Sequence, residues 1–322
     1  MADQARRDRL LAMKLVALIR EQWTGIDPQT ASFALGSAAV ADRVGWVLLD
    51  ERQRSGLGPA LAWAVRSGVQ QLHVLAEEGT GTIARRAPAF VLPIEVWHVE
   101  DRVLLPALSE PLPEPSAAPA DHEQFRDLIL RGGATPVVEH GTLVGEVRGL
   151  EVCRVVTDPS SGVSRLEVGI GQHDREAFQM LHGDVPTADA LAKVVAIVAP
   201  HRRRGADPHP LNRLGQERAL RARLIDEPEE IGATRIEVLP APIARQNLKD
   251  PQPCLAAAEF DGRRETLVIS TGIDLDLVPF ATDARLATGN PTRLVVPRRD
   301  AVPVQVEIAA LLREPMPIVP VG

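Results

Sequence analysis

The chain reads as an α/β protein in which two similar β-α-β-α-β lobes flank a central α+β domain. Three observations predict this. Between Gly45 and Val99, short apolar stretches of strand length alternate with stretches of helix length, the pattern of parallel strands joined by crossover helices. The same order returns between Glu265 and Val321 at an offset of about 220 residues, a self-similarity that takes precedence over local motifs. Between the two lies an unambiguous hairpin followed by helices, from Gly145 to Leu181.

Residues 4 to 23 place Leu11, Leu15, Leu18 and Ile19 at helical spacing, with Arg6, Arg7, Arg9 and Arg20 left for water, which predicts an amphipathic helix docked on the following sheet. Ala31 to Val40 and Val44 to Leu49 read as two strands joined at Ala41-Asp42-Arg43. Leu57 to Ser67 is a helix that tolerates Pro59 in its first turn, where the missing N–H has no partner to lose. Gln71 to Leu75 is a strand, Thr82 to Phe90 a helix and Ile94 to Val99 a strand, which closes a first lobe over 1–105. The segment 106–120 (PALSEPLPEPSAAPA) carries five prolines and reads as a semi-extended linker.

The central domain, 121–253, opens with a helix from Asp121 to Arg131, capped by Asp121 and ended by Gly132-Gly133. A strand at Thr135 to Glu139, the hairpin, and helices at Asp174 to Leu181 and Thr187 to Ala199 follow, the last with Thr187 as cap and Pro200 as stop. A helix from Leu211 to Ile225, a strand at Arg235 to Leu239 and a proline-bearing connection from Pro240 to Pro253 complete it. The C-terminal lobe, 254–322, then has strands at Glu265 to Ser270, Thr292 to Val296 and Met316 to Val321, with helices at Leu277 to Leu286 and Val304 to Leu312. Pro279 stands where Pro59 does in the first lobe.

Composition bounds the function. The 322 residues are 45% hydrophobic and 25% charged, the make-up of a globular protein of about two domains. No apolar run approaches the roughly 18–20 residues of a membrane span, so a cytoplasmic location is expected. Cys153 and Cys254 lie in apolar surroundings and read as buried thiols. The net charge of −7 excludes wholesale coating of nucleic acid, which needs concentrated positive charge. Lysine occurs only at Lys14, Lys193 and Lys249, so lysine chemistry is missing from most of the chain.

Positive charge is concentrated between His201 and Arg223, where seven arginines face two acids, Asp207 and Glu217. Guanidinium groups bind phosphate bidentately. Arg202, Arg203, Arg204, Arg213, Arg218 and Arg221 are therefore the candidate surface for nucleic acid or another phosphorylated partner. The alternative is a solvated helix whose arginines pair with Asp226, Glu227, Glu229 and Glu230.

Glu146, Glu151 and Glu167 lie on or beside the hairpin strands, and a carboxylate cluster on a sheet is what a divalent-metal phosphodiesterase needs to hold its cation and activate water. The order helix, three strands, helix resembles the core of the PD-(D/E)XK nucleases. That resemblance implies Glu151 in GLEVCRVV and Glu167 in LEVGIG as metal ligands, with Mg²⁺ or Mn²⁺ as cofactor if the nuclease reading holds and none otherwise; Glu146 is a candidate catalytic carboxylate through the cluster alone. Gly169 stands where the family has its lysine. The competing structural reading starts from the turn near Ser160-Ser161: facing residue numbers then sum to roughly 321, which sets Arg154 opposite Glu167 as a cross-strand ion pair of about 0.2–1 kcal/mol. Gly169-Ile170-Gly171 before a helix suggests a phosphate cradle, but Asp174 replaces the third glycine of the dinucleotide fingerprint and reads as a helix cap. Asp274 and Asp276 in GIDLDLVPF read as a helix-start cap. As a whole the chain resembles an uncharacterised conserved-protein family of high-GC bacteria, through GLEVCRVV, HDREAF and GIDLDLVPF, a likeness that implies no known activity. The expected function is phosphate-partner binding through the arginines, with a divergent metal-dependent nuclease and a non-catalytic interaction scaffold as alternatives.

Overall fold

The computed structural model describes residues 2–50, 56–182, 188–243 and 252–322, and the protein is mixed α/β, with three sheets among the described residues. It divides into two compact units, one of Met1–Leu112, Ile273–Leu286 and Arg299–Ile318, the other of Pro113–Gly272, Ala287–Arg298 and Val319–Gly322. Among the described residues no helix is long and apolar enough to cross a membrane.

In the first unit α1 (Ala2–Gln22) lies on a sheet whose order is β1 (Gln29–Ala31), β2 (Gly36–Ala41), β3 (Val44–Leu49), β4 (Gln71–Ala76), β5 (Ile94–Glu100), β6 (Val103–Pro106). Its apolar face seats the buried Leu15, Leu18 and Ile19 against Trp46, Leu48, Leu75 and Val99. The three inner strands β3, β4 and β5 are parallel, joined by α2 (Leu57–Ser67) and α3 (Thr80–Arg86). The single strand expected from Ala31 to Val40 is two, because the chain reverses between them and β1 returns antiparallel along β2, Gln29 facing Val40. Asp42 and Arg43, with φ of 46° and 65°, form the two-residue hairpin turn that matches the right-handed strand twist.

In the second unit the expected helix at 121–131 is half 3-10 turn, Ala120–Phe125, and only Arg126–Arg131 is α-helix, α4. Asp121 does not cap it; its carboxylate accepts from Ser164 Oγ. A four-stranded antiparallel sheet follows in the order β10 (Ser164–Val168), β9 (Leu150–Thr157), β8 (Thr142–Val147), β7 (Thr135–Glu139). One face is apolar and packs Leu143, Val155, Leu166 and Val168 against Ile129 of α4 and against Leu191 and Val198 of α6 (Ala188–Arg202). The helix continues through Pro200 to Arg202, and Thr187, its expected cap, lies outside the described residues. Preceding it is α5 (Gly171–His182). A Cβ on Gly169 would stand 2.7 Å from Arg175 N, so that glycine serves close packing under the first turn of α5.

Helix α7 (Gln216–Asp226) sets Leu220 and Leu224 on a five-stranded sheet ordered β11 (Arg235–Leu239), β12 (Cys254–Phe260), β13 (Arg263–Ile269), β14 (Thr292–Pro297), β15 (Ile318–Val321). Part of the proline-bearing connection before β12, residues 244–251, lies outside the described residues. The C-terminal stretch is divided. Its strands belong mainly to this second unit, whereas most of α8 (Leu277–Thr288) and all of α9 (Pro303–Ala309) belong to the first. There Asp276 Oδ1 accepts from Gly58 N–H in the first turn of α2 at 2.9 Å, a different helix from the α8 start it was expected to cap, and Asp274 Oδ1 accepts from Asp276 N–H at 2.9 Å. Buried Asp283 accepts from Arg85 Nε and Arg86 Nε at 2.8 Å each.

The two larger sheets share one topology. A leading helix and three antiparallel strands precede each crossover, α1-β1-β2-β3-α2-β4-α3-β5 and α7-β11-β12-β13-α8-β14-α9-β15, so the likeness extends further toward the N-terminus of each run than the sequence pattern indicates.

Candidate functional site

The second face of the four-stranded sheet carries the predicted carboxylates. Strand alternation puts Glu139 of β7 and Glu146 of β8 on that face. Between β8 and β9 the register shifts, Gly145 facing Cys153 but Glu146 facing Glu151, so Val152 is an extra residue. A bulge of this kind reverses the alternation. It turns Glu151 onto the same side as Arg154, three residues on, and directly opposite Glu146. Arg154 faces Glu167 on β10, the register the turn at Ser160-Ser161 predicts.

The ion pairing departs from that register. Arg154 Nε lies 2.8 Å from Glu151 Oε1 rather than pairing with Glu167, because the bulge brings the nearer and almost wholly buried carboxylate alongside. Glu167 is held instead by Arg165 at 2.9 Å and by Arg175 of α5 at 3.5 Å. Arg175 also reaches Glu151 at 3.3 Å. A guanidinium thus bridges the two carboxylates proposed as metal ligands.

Helix α7 closes the other end. Arg218 and Arg221, one helical turn apart, both point at the sheet: Arg218 pairs with Glu139 and, at 3.1 Å, with Glu146. Arg221 Nη1 donates to Glu139 at 3.4 Å and to the Leu255 carbonyl of β12 at 3.3 Å, and Nη2 lies 3.5 Å from Glu146. Burial pushes the Glu146 carboxyl upward while Arg221 and Arg218 pull it back. Burial also works against the charge of Arg221, but nearby Cys254, Glu146 and Glu139 outweigh it and hold that pKa up. Since arginine keeps its proton throughout, two guanidinium groups face two carboxylates here in a paired, water-poor layer.

Three of the predicted phosphate ligands are therefore turned inward, Arg202 and Arg221 buried and Arg218 half-buried. Arg202 is 7% exposed and donates to the carbonyls of Arg148, Leu211, Leu214 and Gly215 at 2.9–3.3 Å, tying down the loop it was expected to charge. Arg218 and Arg221 face the sheet because the expected helix from Leu211 is a 3-10 turn, Pro210–Arg213, after which Gly215 at φ 54° restarts the chain as α7 from Gln216. That break resets the helical phase. Arg203, Arg204 and Arg213 remain exposed. Arg204 pairs with Glu227 at 2.9 Å, and Arg203 and Arg213 form no ion pair among the described residues. His201 and His209 stack beside them at 3.7 Å between ring centroids.

Compared with known proteins, the chain matches no family model, no curated protein and no solved structure.

The donor chemistry of the carboxylate face does not fit Mg²⁺ or Mn²⁺, because Glu146, Glu151 and Glu167 already accept from arginines at the positions where a cation would bind. Among the described residues no group of three or more His, Cys, Asp or Glu side chains is placed to hold a metal ion. Cys153 and Cys254 are free and buried, and burial pushes each thiol up to about 12.

Two features escape a motif-based reading. In the first unit His73 is 3% exposed, stacked on Trp46 at 5.4 Å and 4.7 Å from the Trp23 ring. Trp97 Nε1 donates to His73 Nδ1 at 3.1 Å, and indole N–H can only donate, so Nδ1 is an acceptor and the ring is neutral. In the same unit a groove of about 1000 Å³ runs along α1, lined by Met13, Lys14, Ala17, Leu18 and Glu21 and by residues 100–103 around the β5–β6 turn. The signal for the groove lay in Met13 and Ala17, apolar residues exposed on the face of α1 away from Leu15 and Ile19.

Proposed function

We propose that this chain is a non-catalytic binding protein, a salt-bridged framework whose contacts with other macromolecules run over its outer surfaces. The observation that supports this is the closure of Glu146, Glu151 and Glu167 on Arg154, Arg175, Arg218 and Arg221. Carboxylates engaged in this way are not available to hold a cation or activate water, and a guanidinium cannot serve as a base. The test incubates the protein with labelled DNA and Mg²⁺ or Mn²⁺, beside Glu151→Gln and Glu167→Gln. No cleavage is expected, and both variants lower the unfolding midpoint. Metal-dependent cleavage by the wild-type protein that Glu167→Gln abolishes without moving that midpoint sinks this reading in favour of the nuclease.

A phosphorylated partner, nucleic acid included, is a second reading, favoured by the exposed Arg203 and Arg213 beside the His201–His209 stack. Fluorescence anisotropy with single- and double-stranded oligonucleotides tests it: binding that weakens steeply with salt, and whose salt slope falls by about one unit on Arg213→Ala, supports it. Absence of binding at low salt removes it.

The shared topology of the two larger sheets supports a further proposal, that the two lobes descend from one duplicated unit; Pro59 and Pro279 are each the third residue of their helices, α2 and α8. An experimental structure in which β1–β5 and β11–β15 fail to superpose would count against it.

A further inference from the structure

On its outer side α1 presents Arg6, Leu10, Met13 and Ala17 at alternating four- and three-residue steps, the spacing of a coiled-coil seam. Leu10 and Met13 are 57% and 63% exposed, large values for two apolar side chains on one helix face. Val103, 55% exposed on edge strand β6, borders the same groove. A clustered apolar patch with a charged margin marks an association surface. Its margin is polarised. The start of α1 carries exposed Arg6 and Arg9 with Asp8 between them, net positive, and the far end of the groove carries exposed Glu21, Glu100 and Asp101 with Arg102 among them, net negative. Arg6, Arg9, Glu21, Glu100 and Asp101 form no ion pair among the described residues.

We propose that this face is a homodimer interface in which α1 packs antiparallel on α1 of a second copy about a twofold axis near Leu15. The charge distribution selects that occupant. A twofold contact is self-complementary, and centring it at Leu15 sets Met13 opposite Ala17, large against small, and Arg9 opposite Glu21, with about 18 Å of helix between the two charges. A parallel arrangement would set Arg9 against Arg9 and Glu21 against Glu21. Extended-strand pairing on β6 is weaker, because Pro106 lacks a donor on that edge strand. The inference rests on α1 and the β5–β6 turn and does not depend on the function proposed above.

Sedimentation velocity and light scattering on the full chain at micromolar concentrations test it. A concentration-dependent dimer is expected, weakened at least tenfold by Met13→Glu and by either charge reversal, Arg9→Glu or Glu21→Arg. Circular dichroism and the unfolding midpoint of the variants at monomer concentrations stay near wild type, since all three side chains are exposed. The double reversal Arg9→Glu/Glu21→Arg restores the dimer. A wild-type monomer at 100-micromolar order in low salt overturns the proposal, as does a dimer that survives Met13→Glu or a double reversal that fails to restore association. A monomer that instead captures a synthetic basic amphipathic peptide in this groove also overturns it, in favour of a different partner.

Discussion

Arg221 and Glu146 lie 3.5 Å apart between α7 and β8, and they are 1% and 5% exposed. The pair sits 75 residues apart in sequence and brings a helix of one sheet's packing layer onto a strand of another sheet. Removing one partner leaves an uncompensated buried charge, which costs far more than the net worth of the pair.

Arg221→Met is therefore expected to cost about 3–5 kcal/mol, read as a fall in the urea midpoint. Replacing Glu139 and Glu146 by Gln in the same chain recovers part of that loss. If Arg221→Met alone unfolds like wild type, the layer is hydrated and its electrostatic role is smaller than the geometry implies.

Gly58 of α2 has space for no side chain, since a Cβ there would stand 1.9 Å from the Leu275 carbonyl oxygen. Gly58→Ala is expected to destabilise by more than the ordinary ~1 kcal/mol benefit of alanine in a helix, with overpacking of about 1–3 kcal/mol outweighing that benefit. Thermal unfolding checks it. Gly68, the left-handed residue that ends α2, has open space around it, so Gly68→Asn serves as a control with little effect.

Burial holds the His73 imidazole down at about 4 from its usual 6.5. The unfolded chain takes up a proton at about 6.5, and the folded one resists until about 4. The stability contribution is thus fully present above pH 6.5 and is lost as pH falls through that window, at up to about 1.4 kcal/mol per pH unit. Denaturant melts from pH 7.5 to 4 should show this slope, and His73→Phe should reduce it. Tryptophan fluorescence follows the same transition, because Trp23, Trp46 and Trp97 surround the ring.

Cys153 and Cys254 are buried, and burial pushes each thiol up to about 12, which predicts that neither reacts in the folded protein. A thiol-exchange reagent at pH 8 is expected to label neither cysteine in native protein and both in guanidinium. Rapid native labelling of Cys254 would mean that the layer around Arg221 opens readily.

Most of the framework was legible in the residues. The strands at Val44–Leu49 and Thr135–Glu139 and the helix at Leu57–Ser67 emerge at their expected bounds, because periodicity over one element reports which face is buried. The Arg154–Glu167 register followed from a single turn. Site assignment was less legible. Sequence counting groups Arg202, Arg218 and Arg221 in one charged surface with Arg203, Arg204 and Arg213, although Arg202 and Arg221 are buried and Arg218 is half-buried against Glu139 and Glu146. Nothing local marks Arg218 and Arg221 as buried, because their carboxylate partners Glu139 and Glu146 are 72 to 82 residues distant, and Arg202 is taken up by backbone carbonyls that only the folded loop brings together.

The sequence by itself determined the α/β class, the alternation of elements and the hairpin pairing, all set by interactions between near neighbours. Tertiary structure decided what the charges do. One bulge at Val152 turns Glu151 onto the face of Glu146, and one glycine, Gly215, sets the phase at which α7 presents its arginines. Each shifts a side chain by less than a helical turn, yet in a low-dielectric layer that shift selects between a cleft of free carboxylates and a closed ion-paired one.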